Sequence, residues 1–177
     1  MSPTPERTTL AEIVAAGRDV LETGGPSRLT MQAVAERVGV RAPSLYKRVR
    51  DRDALLGLVA ASTVEELGER LSAADVTVAG VARAYRTFAH ERPEGFRLVL
   101  SDRVDPEVLA RASAPVLRVA AELVGEAEAL EAARLITAWA TGFLSMELAG
   151  AFRLGGDLDD AYEYAVARLT DALARDR

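Results

Sequence analysis

The stretch LTMQAVAERVGVRAPSLYKRVRDRDALL, Leu29 to Leu56, decides the fold of this 177-residue chain. It spells two short helices around a tight turn. Thr30 puts a hydroxyl where it can cap the free amides of a helix over Met31 to Val38. Val34 and Val38 share a face of that helix with Met31 and Ala35, and the small Ala35 lets a second helix pass close. Gly39 follows the last periodic residue, where a left-handed backbone costs glycine little, so the helix stops there. Val40 returns to the core. Pro43 has no amide hydrogen to leave unpaired, so it suits the first turn of a second helix from about Pro43 to Val49. Leu45 and Val49, four apart, face the first helix, and Arg41, Ser44, Lys47 and Arg48 stay outside. That outer face is polar, basic and short enough to enter a major groove.

Charge separates this stretch from the rest of the chain. Arg28 to Arg52 carries seven cations (Arg28, Arg37, Arg41, Lys47, Arg48, Arg50, Arg52) against Glu36 and Asp51, a net of +5. The whole chain is −5, so the remainder carries −10. One basic helical pair on an acidic protein points to a specific polyanion contact, and a body this acidic does not suit a general architectural DNA binder.

A third helix precedes the pair. Leu10, Ile13, Val14, Gly17 and Leu21 recur at spacings of three and four within Thr8 to Thr23, and Gly24-Gly25-Pro26 ends the pattern. Met1 to Pro5 has no apolar run and is expected as a loose tail with no signal peptide. The chain has no cysteine, which excludes a disulfide framework and a cysteine metal site and fits a cytoplasmic protein. Abundant alanine and leucine without strand alternation make the expected fold class all-α.

Helical patterns continue to the C-terminus. A run from about Arg52 to Leu71 connects this N-terminal head to a body and is long enough to transmit tilt. A helix over about Val76 to Glu91 ends at Arg92-Pro93, and a short one carries Phe96, Leu98, Val99 and Leu100. Asp105-Pro106 opens a helix toward Val124, which Pro115 is expected to kink or divide. Leu135 to Phe152, LITAWATGFLSMELAGAF, has the length of a membrane span but carries Thr137, Thr141, Ser145 and Glu147, so it reads as a helix buried on several sides.

No catalytic constellation stands out. His90, the single histidine, sits beside Glu91 and Arg92 at a helix end, and no nucleophile motif or phosphate loop is present. Asp157, Asp159 and Asp160 follow Gly155-Gly156 and read as helix capping rather than a metal site. The chain is therefore expected to be no enzyme and to need no cofactor or metal.

Leu29 to Leu56 resembles the N-terminal helix-turn-helix domain of the TetR family of transcriptional regulators. The matching residues are Thr30, Val34-Ala35, Val38-Gly39-Val40, Leu45-Tyr46 and Arg52-Asp53-x-Leu55. Two departures are Pro43, in place of a small residue, and Lys47-Arg48-Val49, in place of the family's x-His-Phe. The resemblance implies that Arg41, Ala42, Pro43 and Ser44 face base edges, with Arg41 able to grip guanine through two parallel hydrogen bonds. It also implies that Thr30, Gln32, Tyr46, Lys47, Arg48 and Arg52 contact the DNA backbone.

Tyr85 to Leu98 and Trp139 to Phe152 resemble the ligand-sensing domain of the TetR subgroup named for its Trp-His-Gly motif. Here Trp139 and Gly142 are present, with Thr141 where the histidine would stand. The implied organisation is a DNA-binding head over residues 1–56 and an effector-binding, dimerising body over 57–177. The last two helices, near Glu131 to Arg153 and Asp157 to Leu173, would build the homodimer, with Ala138, Gly142, Ala149 and Gly150 permitting close approach. A two-fold dimer demands roughly palindromic double-stranded operator DNA. Tyr85, Phe88, Phe96, Trp139, Phe143 and Met146 are candidates to line a pocket for a small, hydrophobic effector that releases a repressor, with no role for a membrane. The alternative is a small-molecule-binding helical protein or enzyme with no DNA-binding role.

Overall fold

The computed structural model describes residues 8–101 and 103–175; the expected tail, Met1 to Pro5, lies outside the described residues. Among the described residues the chain forms nine helices and no strand. They are α1 (Leu10–Arg28), α2 (Met31–Arg37), α3 (Ala42–Leu45), α4 (Arg52–Ala73), α5 (Val78–Glu91), α6 (Pro93–Val99), α7 (Pro106–Val124), α8 (Ala129–Leu148) and α9 (Leu158–Ala174). No helix among them is long and apolar enough to cross a membrane. Two compact units result. One holds the described residues up to Val64 together with Glu94–Asp105, and the other holds Glu65–Pro93 and the described residues from Pro106 onward.

In the first unit, the spacings seen in the sequence become a core of Ile13, Leu21, Leu29, Val34, Leu45, Val49, Leu55 and Val59, each almost fully buried. Thr9 caps α1 and trades hydrogen bonds with Glu12, its hydroxyl accepting from the Glu12 amide (3.2 Å) while the Glu12 carboxylate accepts from the Thr9 amide (2.7 Å). The helix breaks at Gly25, whose φ of 71° is open to glycine, and one further turn runs from Pro26 to Arg28. Thr30 caps α2 by accepting from the Ala33 amide at 3.1 Å, and Gly39 makes the expected left-handed turn at φ 72°. The recognition helix is shorter than its periodicity suggests. Regular structure ends at Leu45, and the Leu45 carbonyl then accepts from both the Arg48 and Val49 amides at 2.8 Å. That turn still brings Val49 inward, because Leu45 and Val49 are pulled into the same core.

Two polar ties complete the unit. The Arg52 guanidinium donates to the carbonyl oxygens of Leu29 (2.8 Å) and Pro26, fastening the end of α1 to the start of α4. The Glu22 carboxylate accepts from the Gly95 (2.8 Å) and Glu94 (3.2 Å) amides, so α6 is capped by a side chain of α1. This carboxylate cap, with Phe96 and Leu98 buried, accounts for α6 belonging with the head although it lies between two body helices in sequence.

The second unit is built on α5, α7, α8, α9 and the end of α4. α7 runs unbroken through Pro115, contrary to the expected division. Proline removes one helical amide and crowds the preceding turn. Here Pro115 is buried beside Ala112, Val119 and Ala120, and that packing keeps the helix whole. α8 ends at Leu148, four residues before the end of the apolar run, because Gly150 turns at φ 62°. Tyr162 of α9 is fully buried, and its hydroxyl donates to the Ala82 carbonyl of α5 at 2.8 Å. Above it, Arg86 of α5 reaches Glu147 of α8 through two hydrogen bonds (2.5 and 3.1 Å), pairs with Asp159 at 2.6 Å, and lies 4.9 Å from the centre of the Tyr162 ring. His90 adds a 3.2 Å contact to Glu147.

Burial pushes the Glu147 carboxyl up, but the hydrogen bonds from Arg86 and His90 and their charges outweigh it and hold the group below the ordinary carboxylate value. A lowered carboxylate stabilises the fold fully above its ordinary pKa and loses that contribution as pH falls through the folded value. Glu147→Gln should therefore cost about 2 kcal/mol at neutral pH, and the gap to the parent should narrow as pH falls below the ordinary carboxylate value. Urea unfolding of both proteins across pH checks this, and a gap that does not change with pH would contradict it. In the head, Arg52→Ala should lower unfolding stability by about 1–2 kcal/mol through loss of two charge-assisted bonds to carbonyls; unchanged thermal unfolding would show the tie to be idle.

Candidate nucleic-acid interface

The helix-turn-helix separates its two faces cleanly. Leu45 and Val49 are turned inward, whereas Arg41, Pro43, Ser44, Tyr46, Lys47 and Arg48 are exposed and Ala42 is half-buried. Arg41 occupies the position just before α3 with extended backbone and no capping bond from its own side chain, which leaves the guanidinium to project. Tyr46 is 54% exposed, so its ring is only partly packed and its hydroxyl is open to a hydrogen-bonding partner. Thr30 is half-buried and committed to its cap, and Gln32 is exposed but donates to the Glu36 carboxylate at 2.7 Å.

Arg28 lies at the end of α1, and the other six cations of this stretch divide by what they already hold. Arg37 pairs with Asp19 of α1 at 2.8 Å and Arg50 with Asp51 at 2.7 Å. Asp51 also caps α4, accepting from the Ala54 amide at 2.8 Å, and this bond, followed by the one from Arg50, lowers its pKa. The Arg52 guanidinium, expected at a phosphate, is bound to two main-chain carbonyls at the chain reversal between α1 and α2. Among the described residues Arg41, Lys47 and Arg48 form no ion pair, although Glu12 lies within electrostatic reach of Arg48. Apart from Arg28 at the end of α1, the uncommitted positive charge among the described residues is thus concentrated on the recognition turn itself. Sequence counting included Asp51 without pairing it to Arg50 and left Asp19 outside the stretch, since neither α1–α2 contact nor side-chain direction is visible in composition.

The residues expected to line a pocket fall into both units. Phe96 is buried in the first; Tyr85, Phe88, Trp139, Phe143 and Met146 belong to the second. Phe88 is fully buried, with the Arg70 guanidinium 5.7 Å from its ring centre. Met146 is 46% exposed on the outer side of α8. Trp139 packs tilted on Tyr162 at 5.1 Å and Phe143 meets it edge-on at 5.0 Å between ring centres, and Phe152 lies 4.8 Å from Phe143. Tyr85 and Thr141 share a hydrogen bond of 3.2 Å between α5 and α8. Burial raises the Tyr85 phenol, the Thr141 bond opposing, so at neutral pH it is an uncharged hydrogen-bonding group in an apolar setting.

Comparison with known proteins agrees with both halves of this geometry. Residues 13–59 match the bacterial regulatory proteins of the tetR family, and residues 78–169 match the tetracyclin repressor-like C-terminal domain. The uncharacterized HTH-type transcriptional regulator Rv0681 of Mycobacterium tuberculosis is 29% identical over 185 residues, spanning 97% of this chain and 84% of the relative. TetR from Acinetobacter baumannii AYE superposes with a TM-score of 0.74 at 22% identity, over 96% of this chain and 98% of that one. The TetR family protein ActR of Streptomyces coelicolor, solved in complex with (S)-DNPA, does so with a TM-score of 0.72 at 16% identity, over 97% and 99%. With matched segments covering the helix-turn-helix and more than half of the chain in the body, the protein belongs to the TetR family of transcriptional regulators.

Proposed function

We propose that this regulator is a homodimeric repressor that reads a roughly palindromic operator and releases it when a small hydrophobic effector binds its body. The observation that carries the reading is the recognition turn, whose cations Arg41, Lys47 and Arg48 form no ion pair among the described residues and stand outward while Leu45 and Val49 anchor it. Arg41 and Ser44 read base edges; Tyr46, Lys47 and Arg48 grip phosphates and set register. Gln32 and Thr30 are secondary backbone contacts, and Arg52 acts through the fold of the head.

The body belongs to the Trp-His-Gly subgroup in this reading, with Trp139 and Gly142 kept and Thr141 replacing the histidine. The Tyr85–Thr141 pair supports an effector that is largely apolar and carries one hydrogen-bonding group, met by Trp139 and Phe143. ActR, a family member, was solved with a bound small molecule, and sensing by this body is proposed by analogy with it. The effector releases DNA because it favours a packing of the body in which the two heads no longer match operator spacing; only such a difference in affinity can shift the equilibrium. The homodimer is supported by the outer face of α8, where Ala138, Gly142, Ser145 and Ala149 are exposed small residues at helical spacing that admit a second helix. The operating compartment is the cytoplasm, and no catalytic or cofactor chemistry is assigned.

The test is a gel shift with the DNA upstream of the protein's own gene, repeated with a panel of metabolites. Arg41→Ala should lose discrimination at one base pair, worth about 1–3 kcal/mol, whereas Lys47→Ala should weaken binding to all sequences alike and reduce the salt slope by about 1. If both variants bind like the parent, the assignment of this face fails. Sedimentation of the parent as a monomer at micromolar concentration would remove the homodimer.

A further inference from the structure

The chain holds 21 arginines and a single lysine, Lys47. The two kinds of cation differ in reactivity. A guanidinium stays protonated and delocalised in proteins, so it offers no lone pair to a carbonyl carbon, whereas an ammonium exchanges with a free amine, a nucleophile and the target of acylation. Of all these positive side chains only one can be neutralised by acyl transfer, and it stands on the recognition turn.

Its surroundings leave it available. Lys47 is exposed in the turn that follows α3, between the exposed Tyr46 and Arg48, and forms no ion pair among the described residues. The carboxylates flanking it in sequence are engaged elsewhere: Glu36 accepts from Gln32 at 2.7 Å, Asp51 from Arg50 and the Ala54 amide, and Asp53 pairs with Arg103 at 3.2 Å. Glu12 of α1, within electrostatic reach of Arg48, accepts from the Thr9 amide. No ion pair has to break before Lys47 reacts, and the positive charge of Arg41, Lys47 and Arg48 that suits a DNA phosphate also draws a small anionic donor.

We propose that Lys47 is an acylation site whose donor is an acyl phosphate, and that acylation switches off the DNA-reading head. The donor's phosphate takes the place of a DNA phosphate on the turn, which brings its carbonyl carbon to Nζ. The ammonium gives one proton to water, the amine lone pair forms an N–C bond, and the C–O bond to phosphate breaks with its electron pair going to the phosphate oxygen. The second proton passes to the released phosphate, leaving a neutral amide, and nothing is oxidised or reduced. The inference rests on the reading that Lys47 grips a phosphate and deepens it with a form of regulation. An amide keeps the aliphatic stem but loses the charge, so the head loses a phosphate contact while Arg41 keeps its base contact. Bound DNA and acylation exclude each other, because a phosphate paired with the ammonium keeps it protonated and covered. Release of the operator opens Lys47 to the donor, and acylation then holds the protein off DNA after the effector has gone.

The test incubates the full-length protein with acetyl phosphate, with and without the DNA found in the gel shift, and maps the products by peptide mass spectrometry, which separates Lys47 from the amino terminus. The free protein should gain an acetyl group at Lys47, and DNA at about ten times its dissociation constant should slow that gain about tenfold. The acetylated protein should bind the operator about tenfold more weakly, with a salt slope smaller by about 1 for each head and unchanged preference among operator variants. Lys47→Arg, compared with itself before and after treatment, should show no change in affinity. A parent that binds the operator but gains no acetyl group at Lys47, gains it as fast on DNA, or binds equally well once acetylated would overturn the inference and leave DNA reading by the rest of the turn standing. Loss of affinity by treated Lys47→Arg would overturn it too, by placing the sensitive group elsewhere. A parent that binds no operator would overturn the DNA-binding reading first, and this inference with it.

Discussion

A recognition helix of four residues has almost no stability of its own, because helix nucleation costs more than so few hydrogen bonds return. What holds it is the burial of Leu45 and Val49, with α3 packed on α2, and the rest of the head follows from that need. α2 must present Val34 and Ala35 to it, α1 must present Ile13, and the reversal between α1 and α2 must be tied down, which Arg52 does by holding two carbonyls. Deleting methylene groups from such a site typically costs about 2–5 kcal/mol, a large part of the stability of a small domain. The basic face can be exposed and polar because the opposite face is buried so completely.

Electrostatics acts locally in this molecule. An acidic chain displays a basic patch, but much of that patch is already engaged: Asp19 and Asp51 hold Arg37 and Arg50, and Arg52 serves the main chain. The charge left over is on the recognition turn, where it can meet phosphate without first breaking an internal bond. In the body the opposite economy applies. Glu147 is nearly buried, and only bidentate Arg86 with His90 makes its burial tolerable. The result cross-links α5, α8 and α9 around Tyr162, a polar knot in a unit otherwise packed with apolar side chains.

Much of the fold was legible from periodicity and punctuation. The Thr30 cap, the Gly39 turn, the break at Gly25 and the inward pair Leu45 and Val49 are local features, and local sequence is enough to specify them. Pro115 does not divide α7, because its effect depends on what packs around it. The reach of α8 was overestimated because an apolar run does not reveal where a glycine turn ends it. Of the interface, the exposed members of the recognition turn were identifiable by residue type. The partners of Arg37, Arg50 and Arg52 were not, since they come from side-chain direction and from α1 and its junction with α2.

The amino-acid sequence by itself determined the helical class, the positions of the turns and the sidedness of the DNA-reading head, because caps, glycines and apolar spacing act within a few residues. Tertiary structure alone decided that α6 belongs with the head through the Glu22 carboxylate, that Arg52 is a tie, and that Arg86 satisfies Glu147. Each of these joins groups separated by more than twenty residues, and such pairings form only when the folded chain brings them within hydrogen-bond distance. Composition and spacing carry no record of that.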